Sequence, residues 1–331
     1  MATEIKFNAD GTINFGDYTL TFTDEGFEFD GSILATEYET VPPQAQGSIS
    51  GYTSGGSPTP ANYVNTIDKF PFAVDANATD VGDLTQANRS LAGQSSTESG
   101  YSSGGFTPPY TNVIQKFPFA VDANATDVGD LTQNRGFLGG QSSTENGYAS
   151  GGNAPPSTNT IDKFPFSADA NATDVGDLTQ ARWGIGQSSE VSGYTSGGNA
   201  GGDVDTIDKF PFATDGNATD VGDLTVARTR SSGQSSDISG YVAGGFSTLD
   251  VIDKFPFATD GNATDVGDLT HQTYNTTGQS GTESGYVSGG VLNGNPGFDH
   301  IQKFPFATDG NATDVGNLTV QRNNIPAGQQ V

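Results

Sequence analysis

Lys69-Phe70-Pro71-Phe72, followed by Asp75-Ala76-Asn77-Ala78-Thr79-Asp80-Val81-Gly82-Asp83-Leu84-Thr85, is a phrase that this chain repeats six times with small changes. The copies begin at Lys69, Lys116, Lys163, Lys209, Lys254 and Lys303. Near-identical copies at a regular spacing indicate that each copy is one supersecondary unit of a repeat architecture. The phrase therefore decides the fold class before any single residue is interpreted.

A second motif, Gly-Tyr-x-x-Gly-Gly, precedes every copy of the phrase. Its tyrosines are Tyr52, Tyr101, Tyr148, Tyr194, Tyr241 and Tyr286. Successive tyrosines lie 45–49 residues apart. That period lies among those of β-propeller blades.

Composition is consistent with many short strands joined by tight turns. The 331 residues include 46 glycines, only 16% are charged, and the formal net charge is −26. Aromatic residues recur in phase with the glycines, which disordered low-complexity sequence does not show. The sequence predicts an all-β protein.

The charge and the absence of cysteine exclude several classes of function. Phosphate binding needs clustered Lys and Arg, so a nucleic acid is not an expected partner. With no cysteine, the chain has no disulfide, thiol nucleophile or Cys-ligated metal. No apolar run resembles a signal peptide or a membrane span, so no membrane insertion is expected. Release from the cytoplasm would then need another route, such as cell lysis within a virus particle.

One copy reads as four antiparallel strands. In the second copy these are Gly93–Ser96, Gly100–Ser103, Asn112–Phe119 and Ala125–Leu131. Asp122-Ala123-Asn124 becomes Asp-Gly-Asn in later copies, a strong hairpin signal between the last two strands. Six such units predict a six-bladed propeller spanning residues 44–331.

The chain ends predict how the ring closes. Gly328 to Val331 matches the Gly-Gln-Ser-Ser strand of the other copies, whereas the first copy has a degenerate version at residues 46–49. The C-terminal strand is therefore expected to complete the first blade. Because proline cannot donate to a ladder, a bulge is expected at Pro71 and its equivalents. Phe70 and Phe72 are expected to pack between adjacent blades.

These motifs resemble the kelch-type propeller repeat. The shared features are Gly-Gly after the second strand, an aromatic residue in the third, a turn rich in Asp, Asn and Thr, and an arginine after the fourth strand. The arginines are Arg89, Arg135, Arg182, Arg228 and Arg322, with Thr273 in the fifth copy. The kelch tryptophan of the fourth strand is replaced here by Thr-Asp-Val-Gly.

The amino-acid sequence of the repeat also resembles that of repeat proteins of marine tailed bacteriophages, which are described as virion structural or tail-fibre proteins. This resemblance implies a virion protein made in the host cytoplasm without a signal peptide. It implies partners among other virion proteins and on the host surface, as a glycan or a protein.

Residues 1–43 lie outside the repeat and read as a small β meander, because apolar residues alternate with polar ones between turn signals. A segment this short usually needs support from elsewhere. It is expected either to pack on the propeller, or to pair with copies of itself or dock on other virion proteins. Val41-Pro42-Pro43 would be a stiff linker.

The copies differ in two places: the loops between the second and third strands, and the links between blades. Both are expected on one face of the ring, opposite the repeated hairpins, and loops on a rigid scaffold often carry binding residues. The candidate ligand-binding residues on this face are Tyr63, Phe106, Tyr110, Trp183, Arg230, Phe246, His271, Tyr274, Phe298 and His300. Exposed aromatic rings with polar neighbours suit carbohydrate or protein recognition. The same pattern would arise if the loop sequences varied without selection for binding and the aromatic rings only packed on the ends of the blades.

The repeated hairpins carry a candidate metal site. Asp75, Asn77, Asp80 and Asp83 place oxygen ligands at short spacing, as calcium prefers. Asp and Asn are equally the residues that hairpin turns favour. No other cofactor is expected, and chelator sensitivity would favour calcium.

Catalysis is not expected, since the chain has only two histidines and no paired nucleophile and base. Three functions remain open. The chain is a virion tail fibre or appendage that displays a propeller for attachment, a purely structural decoration or joint, or a kelch-like interaction module outside a virus.

Overall fold

The computed structural model describes the backbone of residues 12–15, 18–23, 26–29 and 32–35, and residues 46–59, 62–246, 249–292, 297–322 and 326–331 in full. Within these ranges all regular structure is β-strand. The chain divides into two compact units, Met1–Val41 and Pro42–Val331.

The first unit contains a four-stranded antiparallel sheet in which the strands follow chain order, as expected for a meander. Its strands are β1 (Thr12–Phe15), β2 (Tyr18–Thr23), β3 (Gly26–Phe29) and β4 (Ser32–Ala35).

The second unit is a six-bladed β-propeller whose blades are four-stranded antiparallel sheets. Blade 1 contains β5 (Ser50–Ser54), β6 (Thr66–Pro71) and β7 (Thr79–Asp83). Blade 2 contains β8 (Ala92–Ser95), β9 (Ser99–Ser103), β10 (Val113–Pro118) and β11 (Thr126–Asp130). Blade 3 contains β12 (Gly139–Ser142), β13 (Asn146–Ser150), β14 (Thr160–Pro165) and β15 (Thr173–Asp177).

The remaining blades follow the same plan. Blade 4 contains β16 (Ile185–Ser188), β17 (Ser192–Asn199), β18 (Asp203–Pro211) and β19 (Thr219–Asp223). Blade 5 contains β20 (Ser232–Ser235), β21 (Ser239–Gly245), β22 (Leu249–Pro256) and β23 (Thr264–Asp268). A two-stranded sheet follows, made of β24 (Thr273–Tyr274) and β27 (Val291–Leu292). Blade 6 contains β25 (Thr277–Ser280), β26 (Ser284–Ser288), β28 (Phe298–Pro305) and β29 (Thr313–Arg322).

The C-terminal strand closes the ring, which confirms the prediction. β30 (Ala327–Gln330) pairs with β5 and supplies the missing strand of blade 1, with Gln329 opposite Tyr52. The Val331 amide donates to the Ser50 carbonyl at 3.0 Å. The first and last strands of the propeller are thereby joined by backbone hydrogen bonds.

Aromatic residues hold adjacent blades together, as expected from the repeated phenylalanines. The motif tyrosine of each blade lies 5.5–5.6 Å from the first phenylalanine ring of the next blade and 4.7–4.9 Å from the second. Tyr286 meets Phe70 and Phe72 in this way, so the contact also closes the ring. Within a blade, Gly51 lies opposite Phe70, and a Cβ at Gly51 would come within 2.5 Å of that ring.

The predicted bulge at Pro71 is wrong in position. The register of β6 against β7 shifts between Ile67 and Asp68, so Val81 is the extra residue. The β6–β7 ladder ends at Lys69, and Pro71 pairs only with Ser50 of β5. Proline is therefore tolerated because it lies beyond the ladder that would need its missing N–H.

Candidate ligand-binding face

The face that carries the turns between the third and fourth strands is called the uniform face, residues 73–78 and their five equivalents. At every blade boundary the phrase lysine forms a salt bridge with the turn aspartate of the next blade. The pairs are Lys69–Asp122, Lys116–Asp169, Lys163–Asp215, Lys209–Asp260, Lys254–Asp309 and Lys303–Asp75, at 2.5–3.3 Å. The turn asparagine likewise accepts a backbone N–H from the preceding blade, as Asn124 Oδ1 does from Asp83 at 3.0 Å.

Two of the four candidate calcium ligands, Asp75 and Asn77, use their side chains in these contacts between blades. Asp75 Oδ1 accepts from Lys303 at 3.2 Å, and Asn77 Oδ1 accepts from the Asn317 amide at 3.0 Å. Asp80 Oδ1 accepts from the Gly82 amide at 3.1 Å, and the Asp83 carbonyl accepts from Ala125. Over the described residues, no group of three or more His, Asp or Glu side chains is arranged to hold a metal ion. Calcium binding stays a prediction, which melting with and without EDTA would test.

The opposite face is called the variable face, and it carries the loops and links that differ between copies. Loops and links from neighbouring blades are joined by backbone hydrogen bonds. The Phe106 amide donates to the Arg89 carbonyl at 2.7 Å, and the Phe246 amide donates to Thr229 at 2.8 Å. The Trp183 amide donates to the Asn199 carbonyl at 3.1 Å. The predicted binding residues are thus held on a connected framework, and they form three clusters.

The Tyr63 cluster contains Tyr63, Phe106, Tyr110 and Arg89. Phe106 lies edge-on to both tyrosines, with ring centroids 6.4 Å from Tyr63 and 4.9 Å from Tyr110. The Arg89 guanidinium lies 4.8 Å from the Phe106 centroid and 5.4 Å from that of Tyr63. Burial raises the pKa of Tyr110, whose hydroxyl accepts from Asn153 Nδ2 at 2.8 Å. All four side chains are partly buried.

The Trp183 cluster contains Phe137, Trp183, Arg230, Phe246 and Tyr274. Phe137 and Trp183 stack with centroids 4.2 Å apart and ring planes 14° apart. The Arg230 guanidinium lies 5.6 Å from the Trp183 centroid and 5.1 Å from that of Phe246. Phe246, the most exposed ring at 42%, meets Tyr274 edge-on at 5.3 Å. Guanidinium groups held over aromatic faces gain cation–π attraction.

The His271 cluster contains the two histidines and Phe298. Phe298 and His300 stack with centroids 3.8 Å apart, and His271 lies 5.4 Å from Phe298. His300 Nδ1 also contacts the Asp314 carboxylate. Phe298 is only 9% exposed, so this cluster is packed more than displayed.

Two members of these clusters were missed in the sequence. Phe137 lies in a variable link, and Arg89 was grouped with the arginines that end each blade. Ser90, Phe137, Arg230 and Asn275 occupy the same link position, and all four have a left-handed backbone with φ of 59–60°. Aligning the links between copies would have put Phe137 beside Arg230 as a candidate.

No protein-family model matches the chain, and no curated protein matches it. The described part of the chain also contains no helix that is long and apolar enough to span a bilayer. The fold and the two faces are therefore the basis for a functional proposal.

Proposed function

We propose that the chain is a non-enzymatic recognition module of a bacteriophage particle that attaches to a host-surface glycan or protein through its variable face. The single observation that carries this proposal is the difference between the faces. The uniform face repeats the same salt bridges and amide contacts at all six boundaries. The variable face carries three clusters of different composition on the same scaffold.

A propeller suits such a role, because rigid strands hold loops whose sequences can change without loss of the fold. The N-terminal sheet β1–β4 would join the module to other virion proteins. Many copies on one particle would convert weak single contacts into strong attachment through avidity. The sequence of the repeat resembles that of virion proteins of tailed phages, which supports placing the module on a particle.

A binding assay with matched variants tests this proposal. Labelled full-length protein would be applied to an array of bacterial surface polysaccharides and to intact bacteria. Phe246→Ala truncates an exposed ring of the Trp183 cluster, and Val121→Ala truncates a side chain that is 61% exposed on the uniform face. We expect the first change to weaken binding about tenfold or more, as for an aromatic hot spot, and the second to leave it unchanged.

Two results would contradict the proposal: no binding to any glycan or cell, or a loss of binding with Val121→Ala only. The second candidate function is a structural decoration or joint within the particle. The His271 cluster favours it, since Phe298 is nearly buried and His300 contacts Asp314. In that case the variable face would be covered by a neighbouring protein in a map of the particle.

A further inference from the structure

A cavity of about 100 Å³ lies at the centre of the ring, between the inner strands. At its variable-face end it is lined by Phe137, Trp183, Thr229, Arg230, Ser231 and Thr276. This volume has room for several water-sized groups. The Trp183 cluster therefore lies at the rim of a concave site and is not a flat patch of aromatic rings.

The apolar part of this site is held in place before any ligand arrives. Phe137 and Trp183 come from neighbouring links and stack on each other at 4.2 Å. The Arg230 guanidinium lies 5.6 and 5.1 Å from the ring centroids of Trp183 and Phe246. A guanidinium already held against aromatic rings loses little conformational freedom when it pairs with an anion.

The polar part contains buried groups that lack protein partners. Thr229, Ser231 and Thr276 are 3%, 5% and 1% exposed. Their hydroxyls, and Nε of Arg230, have no hydrogen-bond partner among the described residues. Buried polar groups are nearly always hydrogen-bonded, and a buried group without a hydrogen bond lowers the stability of the fold. A ligand rich in hydroxyl groups would recover that cost at three places in one small cavity.

Arg230 supplies a positive charge at the variable-face end of the cavity. Each copy of the phrase places one aspartate in its turn on the uniform face, Asp75 and its five equivalents. A strand of about five or six residues spans about 17–20 Å, roughly twice the Debye length of about 8–10 Å at physiological salt. A carboxylate entering from the variable face therefore meets Arg230 with the turn aspartates largely screened, while Asp203 of the variable face is close enough to interact with Arg230. Burial lowers the pKa of Arg230, although arginine stays charged in proteins, so a buried anion would be a favourable partner.

We propose that this cavity binds a carboxylate-bearing sugar residue of an acidic polysaccharide. Arg230 pairs with the carboxylate, which planar guanidinium groups recognise through two parallel hydrogen bonds. The Trp183–Phe137 pair supplies apolar contact for the sugar ring, and the buried hydroxyls bond to sugar hydroxyls. This assignment rests on the proposed function, since it names the ligand class of that same face.

Trp183 is the chain's only tryptophan, so its fluorescence reports on this site alone. Full-length protein would be titrated with glucuronate, with glucose as the neutral match and inorganic phosphate as an anion without a sugar. We expect a saturable change in fluorescence with glucuronate and none with glucose or phosphate. An equal response to phosphate would reduce the site to a general anion site and overturn the proposal, as would no response to glucuronate.

Three variants test the roles of the residues. Arg230→Gln is expected to weaken glucuronate binding at least tenfold, while Lys163→Gln removes one positive charge from the uniform face and leaves binding unchanged. Ser231→Ala is expected to weaken binding severalfold without lowering the melting temperature, because the hydroxyl has no protein partner to lose. A fall in melting temperature with unchanged binding would assign Ser231 a structural role instead.

Binding to the polysaccharide array and to intact bacteria distinguishes the cavity assignment from the recognition function. If Arg230→Gln protein still binds polysaccharides or cells as well as the unaltered protein, the cavity assignment fails and the recognition function stands. If the unaltered protein binds nothing, both fail.

Discussion

Buried arginine–aspartate pairs lie at four of the six blade boundaries, all of which fall within the described residues. The pairs are Arg135–Asp162, Arg182–Asp208, Arg228–Asp253 and Arg322–Asp68, at 2.5–2.9 Å, with no exposed side-chain surface. At the other two boundaries both charges are missing: Asn88 and Gln115 stand at the two positions of one, and Thr273 and Gln302 at those of the other. Gln115 and Gln302 instead accept from the Thr85 and Thr270 amides, at 2.7 and 2.8 Å. Losing charges only in pairs is what a low-dielectric interior requires, since an unpartnered buried charge is strongly destabilising.

A double-mutant cycle at one boundary tests this requirement. Arg182→Asn alone leaves the Asp208 carboxylate buried and should lower the free energy of unfolding by about 3–5 kcal/mol. Adding Asp208→Gln reproduces the combination of Asn88 and Gln115 at the first boundary, where Asn88 Nδ2 donates to the Gly104 carbonyl as Arg182 Nε does to the Gly197 carbonyl. We expect the double variant to be more stable than either single variant in urea denaturation. Additive losses would show that the two side chains act independently.

The boundary that contains Asn88 and Gln115 shows why one arginine was assigned the wrong position from the sequence. Arg89 follows its blade like the other arginines, but the buried position is taken by Asn88, which is fully buried. Arg89 lies one residue further along, over Phe106 and Tyr63. The next blade has Gln115 where the blades that face a buried arginine have an aspartate, and a single repeat contains no information about its neighbour.

At the scale of elements, the six inner strands approach each other through their glycines. A Cβ on Gly93, Gly140, Gly186, Gly233, Gly278 or Gly328 would lie 2.1–2.2 Å from the carbonyl oxygen of the matching glycine in the neighbouring blade. The sequence predicted a strand of small residues here and could not show that six such strands meet at the centre. Space between backbones, and not a special backbone angle, requires these glycines.

Two alanine substitutions distinguish this packing from ordinary glycine flexibility. Gly186→Ala should lower the free energy of unfolding by about 1–3 kcal/mol or more, because its Cβ would meet the Gly140 carbonyl at 2.1 Å. Gly216→Ala lies in a turn with no atom within 4 Å of the new Cβ, and alanine already stands there in the first three copies. The second change should stay within about 0.5 kcal/mol. Equal effects in chemical denaturation would argue against close contact between inner strands.

At the scale of the whole molecule, the ring separates residues that build it from residues that differ. The phrase that recurs six times forms boundary contacts, and its period was enough to predict the blades and their closure. The grouping of the variable residues was not predictable, because each cluster combines links and loops from different blades. Phe137 and Trp183 are 46 positions apart and become neighbours only once the ring has formed.

The ring also repeats one ionisable group at every boundary. Burial raises the pKa of all six motif tyrosines, to about 12 for Tyr148 and Tyr286. The pKa of Lys209 is also raised, chiefly by its hydrogen bond to Asp260. In the unfolded chain both residue types ionise at their ordinary pKa of about 10. The folded state therefore binds more protons than the unfolded state above that pH.

Stability should therefore be fully present below about pH 10 and lost as the pH rises toward 12, because the unfolded chain loses its tyrosine protons first. Tyr148→Phe keeps the ring that contacts Phe210 and Phe212 and removes one titrating group. The variant should melt like the unaltered protein at pH 7 and resist alkaline unfolding to a higher pH. Circular dichroism would follow unfolding while ultraviolet absorbance follows tyrosinate formation, and the two transitions should coincide. Tyrosinate formation well before the loss of structure would contradict this account, since the rings would then ionise within the intact ring of blades.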